Sequence, residues 1–260
     1  MTELDGKVAV VTGGATGIGR AAAELLAARG AQVVSAGLGS PDAVRGPDHA
    51  IEHVEVDVTD ESGVAALVDR TVARHGRLDI LVASAGIQRY GTATGTTAGE
   101  WDEVLAVNVK GAFLAAKHAL PALRETGAGA IVFVSSVQAF VTQTAVAAYT
   151  ASKGALNALA RSIAVDEARF GVRANTVCPG SVDTPMLRAA ARKFSDGTGA
   201  AAAALVATWG RSHPLGRVAK PEEVAEAIAF LASERAAFIT GIALPVDGGL
   251  LAQVTVALPE

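Results

Sequence analysis

Tyr149 and Lys153, one helical turn apart in the stretch AYTASKGALNALA (148–160), are a pair whose types and spacing could move a proton. The chain has only two tyrosines and 4% aromatic residues, so a tyrosine in a helix of small residues asks for a reason. Side chains at i and i+4 of a helix share a face. A phenol with a pKa of about 10 is a poor acid–base group at neutral pH, and lowering it by roughly two to three units takes roughly 3 to 4 kcal/mol. An ammonium at about 4 Å supplies about that much at an effective dielectric near 20. Lys153 is therefore expected to tune Tyr149 downward. Taken alone, Tyr-x-x-x-Lys is ordinarily a core-edge ring beside a solvated amine. Here Ser136 ends a β-branched run 13 residues before Tyr149, and Asn108 sits mid-helix in LAVNVKGAF.

A second constellation binds rather than reacts. TGGATGIGR holds Gly13, Thr16, Gly17, Ile18 and Gly19 immediately after an apolar run and before a helical pattern. With 28 glycines in the chain, the spacing alone is weak, and the strand–turn–helix context carries it. In that context backbone N–H groups and a helix N-terminus face a pyrophosphate, with no Cβ in the way. Asp57, in EVDVTD with Val58, is placed to accept from an adenine amino group, the alternative being a helix-capping aspartate. The loop SAGIQ puts Ala85 and Gly86 beside the adenine ribose.

These residues need a scaffold, and the sequence supplies one. Seven short β-branched runs stand at 7–12, 31–36, 51–56, 78–84, 130–136, 172–178 and 239–246, separated by segments with helical apolar spacing such as SGVAALVDRTVARH. Such alternation predicts right-handed crossovers and an α/β fold: a doubly wound, seven-stranded parallel sheet with helices on both faces. No linker or repeat divides the 260 residues, so one domain is expected, with the strand-free stretch at about 185–213 as a lid over the ligand crevice.

Composition narrows the function classes. A net charge of -4 from scattered charges argues against nucleic acid or an anionic membrane as partner, and a small-molecule substrate is expected. The single cysteine, Cys178, cannot form an internal disulfide, and no apolar run reaches the roughly 18 residues of a membrane span. A soluble cytoplasmic protein is expected. The five histidines show no metal-ligand spacing, so no metal site is implied; His213, in the lid near Trp209, is the one expected to touch substrate.

Jointly, TGGATGIG, DVTD, NVKG, the Ser136/Tyr149/Lys153 spacing, VCPGSVDTPM and FITGIALPVDGG resemble the short-chain dehydrogenases/reductases over nearly the whole chain. The resemblance implies that Tyr149 exchanges a proton with the substrate oxygen and Ser136 hydrogen-bonds that oxygen. It also implies that Lys153 holds the nicotinamide ribose and Asn108 anchors a water relay. Along PGSVDT it implies that Pro179, Gly180, Val182 and Thr184 meet the cofactor, with Val182 and Thr184 at the nicotinamide carboxamide and a nearby phosphate. Two departures stand out: Ala83-Ser84 replaces the usual Asn-Asn before Ala85-Gly86, and neither an acid at Gly37 nor an arginine at Leu38 declares a cofactor preference. NAD(H) is favoured over NADP(H), since Leu38 cannot pair with a 2′-phosphate, although Arg45 in the same loop could.

The expected activity is that of an oxidoreductase moving hydride between a nicotinamide cofactor and a secondary alcohol or ketone. The rival class is a regulatory nucleotide-binding protein without turnover, disfavoured by the complete Ser/Tyr/Lys/Asn set. Gln88, Arg89, Gln138 and Gln143 around the crevice lean toward a sugar or polyol, with 3-oxoacyl thioesters or hydroxysteroids behind it. The helices WDEVLAVNVKGAFLAAKHAL and SKGALNALARSIAVDEA carry apolar residues beyond one face, and the segment ALPVDGGLLAQVTVAL offers a second surface; a homotetramer is expected.

Overall fold

β-branched and aliphatic runs that lack polar alternation belong to strands covered on both faces, and five of the strands bear this out. In the computed structural model, which describes residues 3–39 and 51–254, every residue of β1 (Val8–Thr12), β4 (Ile80–Ala83) and β5 (Ala130–Val134) is buried. β2 (Gln32–Gly37) and β6 (Arg173–Pro179) are buried apart from their first residue, while β3 (Ile51–Glu55) and β7 (Ala243–Val246) form the less buried edges. The order is β3-β2-β1-β4-β5-β6-β7, and all pairings are parallel. The seven expected strands are all present. Several are shorter than their apolar runs, β7 most of all: Gly241 turns at φ 76, its N–H donating to the Ala174 carbonyl at 2.8 Å, and Asn175 Oδ1 accepts from the Ile242 N–H before the ladder begins at Ala243.

Helices close both faces. α1 (Gly17–Ala28) and α8 (Pro221–Ala232) pack on one side around Leu26, Ile228 and Leu231. α2 (Glu61–His75), α4 (Gly111–Glu125) and α5 (Ala147–Glu167) pack on the other around Leu67, Leu114, Phe133 and Leu156. α3 (Ala98–Leu105) runs through a π-helical turn, Ala106–Lys110, into α4. The expected lid consists of α6 (Pro185–Lys193) and α7 (Gly199–Gly210).

Local chemistry sets the helix ends. Asp60, not Asp57, caps α2, accepting from the Ser62 N–H at 3.1 Å, and Gly76 ends that helix in the left-handed region at φ 75. α8 begins with Pro221 at its first turn, and Glu223 accepts from the Lys220 N–H at 2.7 Å while Arg217 holds its carboxyl down to about 2. Glu223 is thus a helix-start residue, as its position after Pro221 suggests.

The sheet direction decides where a ligand can sit. Strand order reverses between β1 and β4, so a crevice opens at their carboxyl ends, where Gly13, Ser84, Ser136 and Pro179 follow their strands. At the opposite end the buried Asp79 accepts from the Val8 N–H at 3.0 Å and from Arg77 in two bonds of 2.6 and 2.8 Å, tying β1 to β4.

Candidate active site

The segment leaving β5 and the first turns of α5 are stitched together by hydrogen bonds. Ser135 Oγ donates to the Lys153 carbonyl at 2.9 Å, and Lys153 Nζ donates back to the Val134 carbonyl at 2.9 Å. Ser136 opens a short 3-10 turn (Val137–Ala139): its Oγ accepts from the Gln138 N–H at 3.1 Å and lies near enough to the Tyr149 hydroxyl to lower the phenol's pKa. Ser136, Tyr149 and Lys153 therefore converge on one point, with Lys153 Nζ 5.3 Å from the Tyr149 ring centroid.

The electrostatics differ from the expectation that Lys153 tunes Tyr149 downward. Burial pushes the phenol up to about 12, outweighing the lowering by Ser136. Burial also pulls the Lys153 ammonium down to about 8. The physical reason is desolvation: Lys153 is 4% exposed, its Nζ is turned to the Val134 carbonyl, and neither charged form recovers its hydration. In this state Tyr149 is a proton donor.

Asn108 lies in the π-helical turn instead of a regular helix, a distortion frequent at functional sites. It is fully buried. Its Oδ1 accepts from the Ile87 N–H at 2.8 Å, while Nδ2 donates to the Ile87 carbonyl and to Ser152 Oγ, each at 3.0 Å. The side chain thus joins the loop after β4 to the catalytic face of α5.

These groups open into a cavity of about 810 Å³ that also includes Gly13, Thr16, Gly17 and Ile18, Ser84 to Gly86, and the segment from Pro179 through Val182 to Thr184. The glycine cradle is built for close approach. A Cβ at Gly13 would stand 2.6 Å from the Ala85 nitrogen, and one at Gly19 would stand 2.3 Å from the Gly13 carbonyl oxygen. Thr16, at the N-cap of α1, makes no side-chain cap bond, and the first turn carries no acidic residue. The helix N-terminus is therefore free to receive an anion, and these residues fit the pyrophosphate of a dinucleotide. Ser84, in place of the usual asparagine, lines the cavity and donates its backbone N–H to the Thr12 carbonyl at 3.1 Å.

Other expected residues are placed differently. Asp57 and Val58 do not line the cavity; Asp57 Oδ1 accepts from the Thr59 N–H and hydroxyl at 2.9 and 2.8 Å, and Val58 is buried against Gly111. Gln88, Gln138 and Gln143 do line it, but Gln143 is exposed and Gln138 accepts from Thr150. Arg89 lies outside, in a two-bond pair with Glu103. His213 lines the cavity wall with both ring nitrogens hydrogen-bonded to backbone. Leu38 is exposed, and Arg45 lies outside the described residues.

Sequence reasoning missed the apolar part of the cavity lining. Tyr90 meets Phe194 edge-on at 4.7 Å, and Val137, Met186, Leu205 and Leu250 continue the surface. Only the rarity of aromatic residues in this chain could have flagged Tyr90 and Phe194, since no motif contains them.

A parallel sheet with a glycine cradle at its switch point, and a Ser/Tyr/Lys cluster facing the same cavity, defines a dinucleotide-dependent oxidoreductase. Comparison with known proteins agrees. Residues 13–251 match the family model described as enoyl-(acyl carrier protein) reductase. The cis-4-hydroxycyclohexanecarboxylate dehydrogenase of Sinomonas cyclohexanicum is 44% identical over 252 residues, covering 95% of this chain and 97% of that one. The cyclopentanol dehydrogenase of Comamonas sp. is 36% identical over 258 residues, covering 97% and 100%. Among solved structures, ligand-free aldohexose dehydrogenase from Thermoplasma acidophilum superposes with a TM-score of 0.95 at 39% identity, covering 100% of this chain and 99% of that one. The chain belongs to the short-chain dehydrogenase/reductase family, and it is an NAD(P)-dependent oxidoreductase of secondary alcohols and ketones.

Proposed function

We propose that the protein interconverts a cyclic secondary alcohol and its ketone, a sugar or polyol ring first among them, with Tyr149 as the proton-transfer group. The observation that carries this reading is the convergence of Ser136, Tyr149 and Lys153 in the cavity that the glycine cradle enters. When bound, the nicotinamide cofactor supplies or takes up the hydride. Ser136, its Oγ occupied as acceptor by the Gln138 N–H, donates to the substrate oxygen. Tyr149 gives its proton to that oxygen in reduction and regains it in oxidation. Lys153 holds the ribose, and Asn108 fixes Ile87 and the face of α5 that carries Tyr149.

The cavity wall supports the substrate class. Its lining mixes apolar and aromatic side chains, Tyr90, Val137, Met186, Phe194, Leu205 and Leu250, with Gln88, Gln138 and the hydroxyls of Thr142, Thr144 and Ser181. Among the described residues, no carboxylate or arginine lines it. A ring with one apolar face and one or more hydroxyls suits such a surface, and the relatives' names, a hydroxycyclohexanecarboxylate, a cyclopentanol and an aldohexose dehydrogenase, all refer to ring substrates. The test is a nicotinamide absorbance assay across cyclic alcohols, aldohexoses, polyols, 3-oxoacyl thioesters and hydroxysteroids. Turnover only with the last two would overturn the class, and silence on all would return the protein to a binding role.

For the cofactor, NAD(H) is favoured: among the described residues, which leave out Arg45, no cationic side chain lines the cradle, and Leu38 offers only an apolar surface. We expect NAD(H) to be used at least as efficiently as NADP(H). A kcat/KM ratio favouring NADP(H) by more than tenfold, about 1.4 kcal/mol, would reverse the assignment. A cytoplasmic setting suits a single cysteine that is buried and free.

The same reading makes the 185–213 segment the lid and the enzyme a homotetramer. On α5 the apolar residues Ala151, Ala158 and Val165 recur at heptad spacing on an exposed stripe, and Phe113 of α4 is 46% exposed. Pairing of α4 and α5 across a two-fold axis would cover both. Phe238 and Ile242 near β7 add a second exposed surface, whose continuation beyond Val254 lies outside the described residues. Sedimentation equilibrium at micromolar concentration is expected to give four times the 26.1 kDa chain mass; a single species at the chain mass sinks the tetramer.

A further inference from the structure

Among the described residues, His213 is the one ionisable side chain in the cavity wall that the proton chemistry leaves unused and that is buried, at 3% exposure. It sits on the return from α7 to α8, yet both ring nitrogens reach across to other parts of the chain. Nδ1 lies 2.6 Å from the Asp247 carbonyl oxygen, an atom that only accepts, so Nδ1 carries the proton. Nε2 is then the bare nitrogen, and it accepts from the Ser181 N–H at 3.3 Å. One imidazole thus joins the end of β7 to the loop that follows β6.

The packing around the ring leaves it no alternative position. A Cβ at Gly180 would lie 2.5 Å from His213 Cε1, so the backbone of that loop lies directly against the imidazole. Gly248, at φ 57, approaches His213 Cβ on the other side, where an added Cβ would be 3.4 Å away. The chain that carries His213 grips the loop a second time further on: Ala219 donates its N–H to the Ser181 carbonyl and accepts from the Asp183 N–H, both at 2.9 Å. Beyond these anchors the loop reaches Thr184, whose Cγ2 would lie 3.2 Å from a Cβ at Gly17 in the phosphate cradle.

A dinucleotide with its phosphates on the N-terminus of α1 and its reactive ring near Tyr149 has to pass this loop, since Gly180, Ser181, Val182 and Thr184 line the cavity that also holds both. We propose that His213 is a positioning residue for the nicotinamide half of the cofactor. Resting on the oxidoreductase reading above, it acts by holding the Ser181 N–H, and through it the 180–184 loop, in register with the cradle. It touches neither the adenosine half nor the proton path. A substitution there should therefore weaken the grip on one end of the cofactor only, which a purely structural histidine would not do.

Titration of the purified protein with NADH and, separately, with ADP-ribose tests this (NADPH and 2′-phospho-ADP-ribose if those bind better). His213→Leu removes both hydrogen bonds; it is expected to weaken NADH binding about tenfold or more and to raise the cofactor KM, while ADP-ribose affinity changes less than about twofold. His213→Gln keeps a donor and an acceptor on one planar group and is expected to recover most of the NADH affinity. Leu123→Ala, a core substitution remote from the cavity, controls for lost stability. Three results would overturn the inference: NADH and ADP-ribose weakened equally, NADH binding unchanged in His213→Leu, or the same NADH loss in Leu123→Ala at matched melting temperature. Should His213→Leu not fold, failure of the folded His213→Gln to keep NADH binding well above a folded His213→Ala would count equally against it. Wild-type protein that binds neither ligand would instead defeat the oxidoreductase reading.

Discussion

Tyr149→Phe is expected to lower turnover about a thousandfold while leaving cofactor affinity nearly intact. Removing a positioned acid–base group costs roughly 10² to 10⁴ in rate, and of the other ionisable groups described in the cavity, Lys153 Nζ is bonded to the Val134 carbonyl and His213 to backbone. The ring volume is kept, so α5 and the cavity should not move. The pH dependence has a definite sign. With the phenol held up to about 12, Tyr149 is protonated across the neutral range, so ketone reduction, which consumes that proton, should not lose rate through Tyr149 as pH rises from about 6 to 9. Alcohol oxidation, which needs the phenolate, should accelerate over the same interval. Steady-state rates in both directions, with the chemical step limiting, check both points. A Phe variant that keeps a tenth of the wild-type turnover would show that Tyr149 does not transfer the proton.

Lys153→Met is expected to reduce cofactor affinity about tenfold and turnover by about a hundredfold or more, because in the proposed mechanism one ammonium serves both the ribose and the phenolate that alcohol oxidation requires. Unchanged affinity by titration calorimetry would mean that Lys153 does not reach the ribose. The same variant should behave unusually in stability. Burial lowers the lysine from 10.5 to about 8, so between those values the unfolded chain holds a proton that the folded chain has released. Stability of the cofactor-free wild type should therefore rise with pH above about 8, by up to about 3 kcal/mol, with the clearest window between 8 and 10. Above about 10 the opposite linkage of Tyr149 begins, since its folded pKa lies above its unfolded one and stability falls as the unfolded phenol ionises. Met at 153 removes the rise. At pH 7 it also relieves the buried charge but orphans the Val134 carbonyl, and the two effects should offset to within about 2 kcal/mol. Urea denaturation of both proteins at pH 7 and pH 9.5 measures this, and an equal pH response in the two would contradict the burial argument.

The way these groups are held explains how much of the protein was legible beforehand. Strand–helix alternation, runs such as AIVFV without polar interruption, and glycines between a strand and a helix are local patterns with one compact solution, and the parallel sheet with its cradle follows from them. That Tyr149 and Lys153 share a face follows from helix geometry alone. The sign of their pKa shifts does not. A chain read as a string shows the ammonium beside the phenol but not how far each is taken out of solvent, and the loss of hydration outweighs the attraction that the spacing suggests.

By itself, then, the sequence determined the elements, their order and the residue types that end at the crevice. Long-range packing decided the rest, because it depends on which distant segments meet. Asp57 turned to Thr59 and left α2 to be capped by Asp60, a choice between two nearby carboxylates that only the backbone path resolves. Tyr90, Phe194 and Leu250 come from three separate segments and form one wall only because α6, α7 and the chain after β7 fold over the carboxyl ends of the strands. His213 reads in the sequence as a group free to meet substrate. In the structure its two nitrogens are taken by Asp247 and Ser181, 34 and 32 residues away, and pairing both offsets the hydration that the buried imidazole loses.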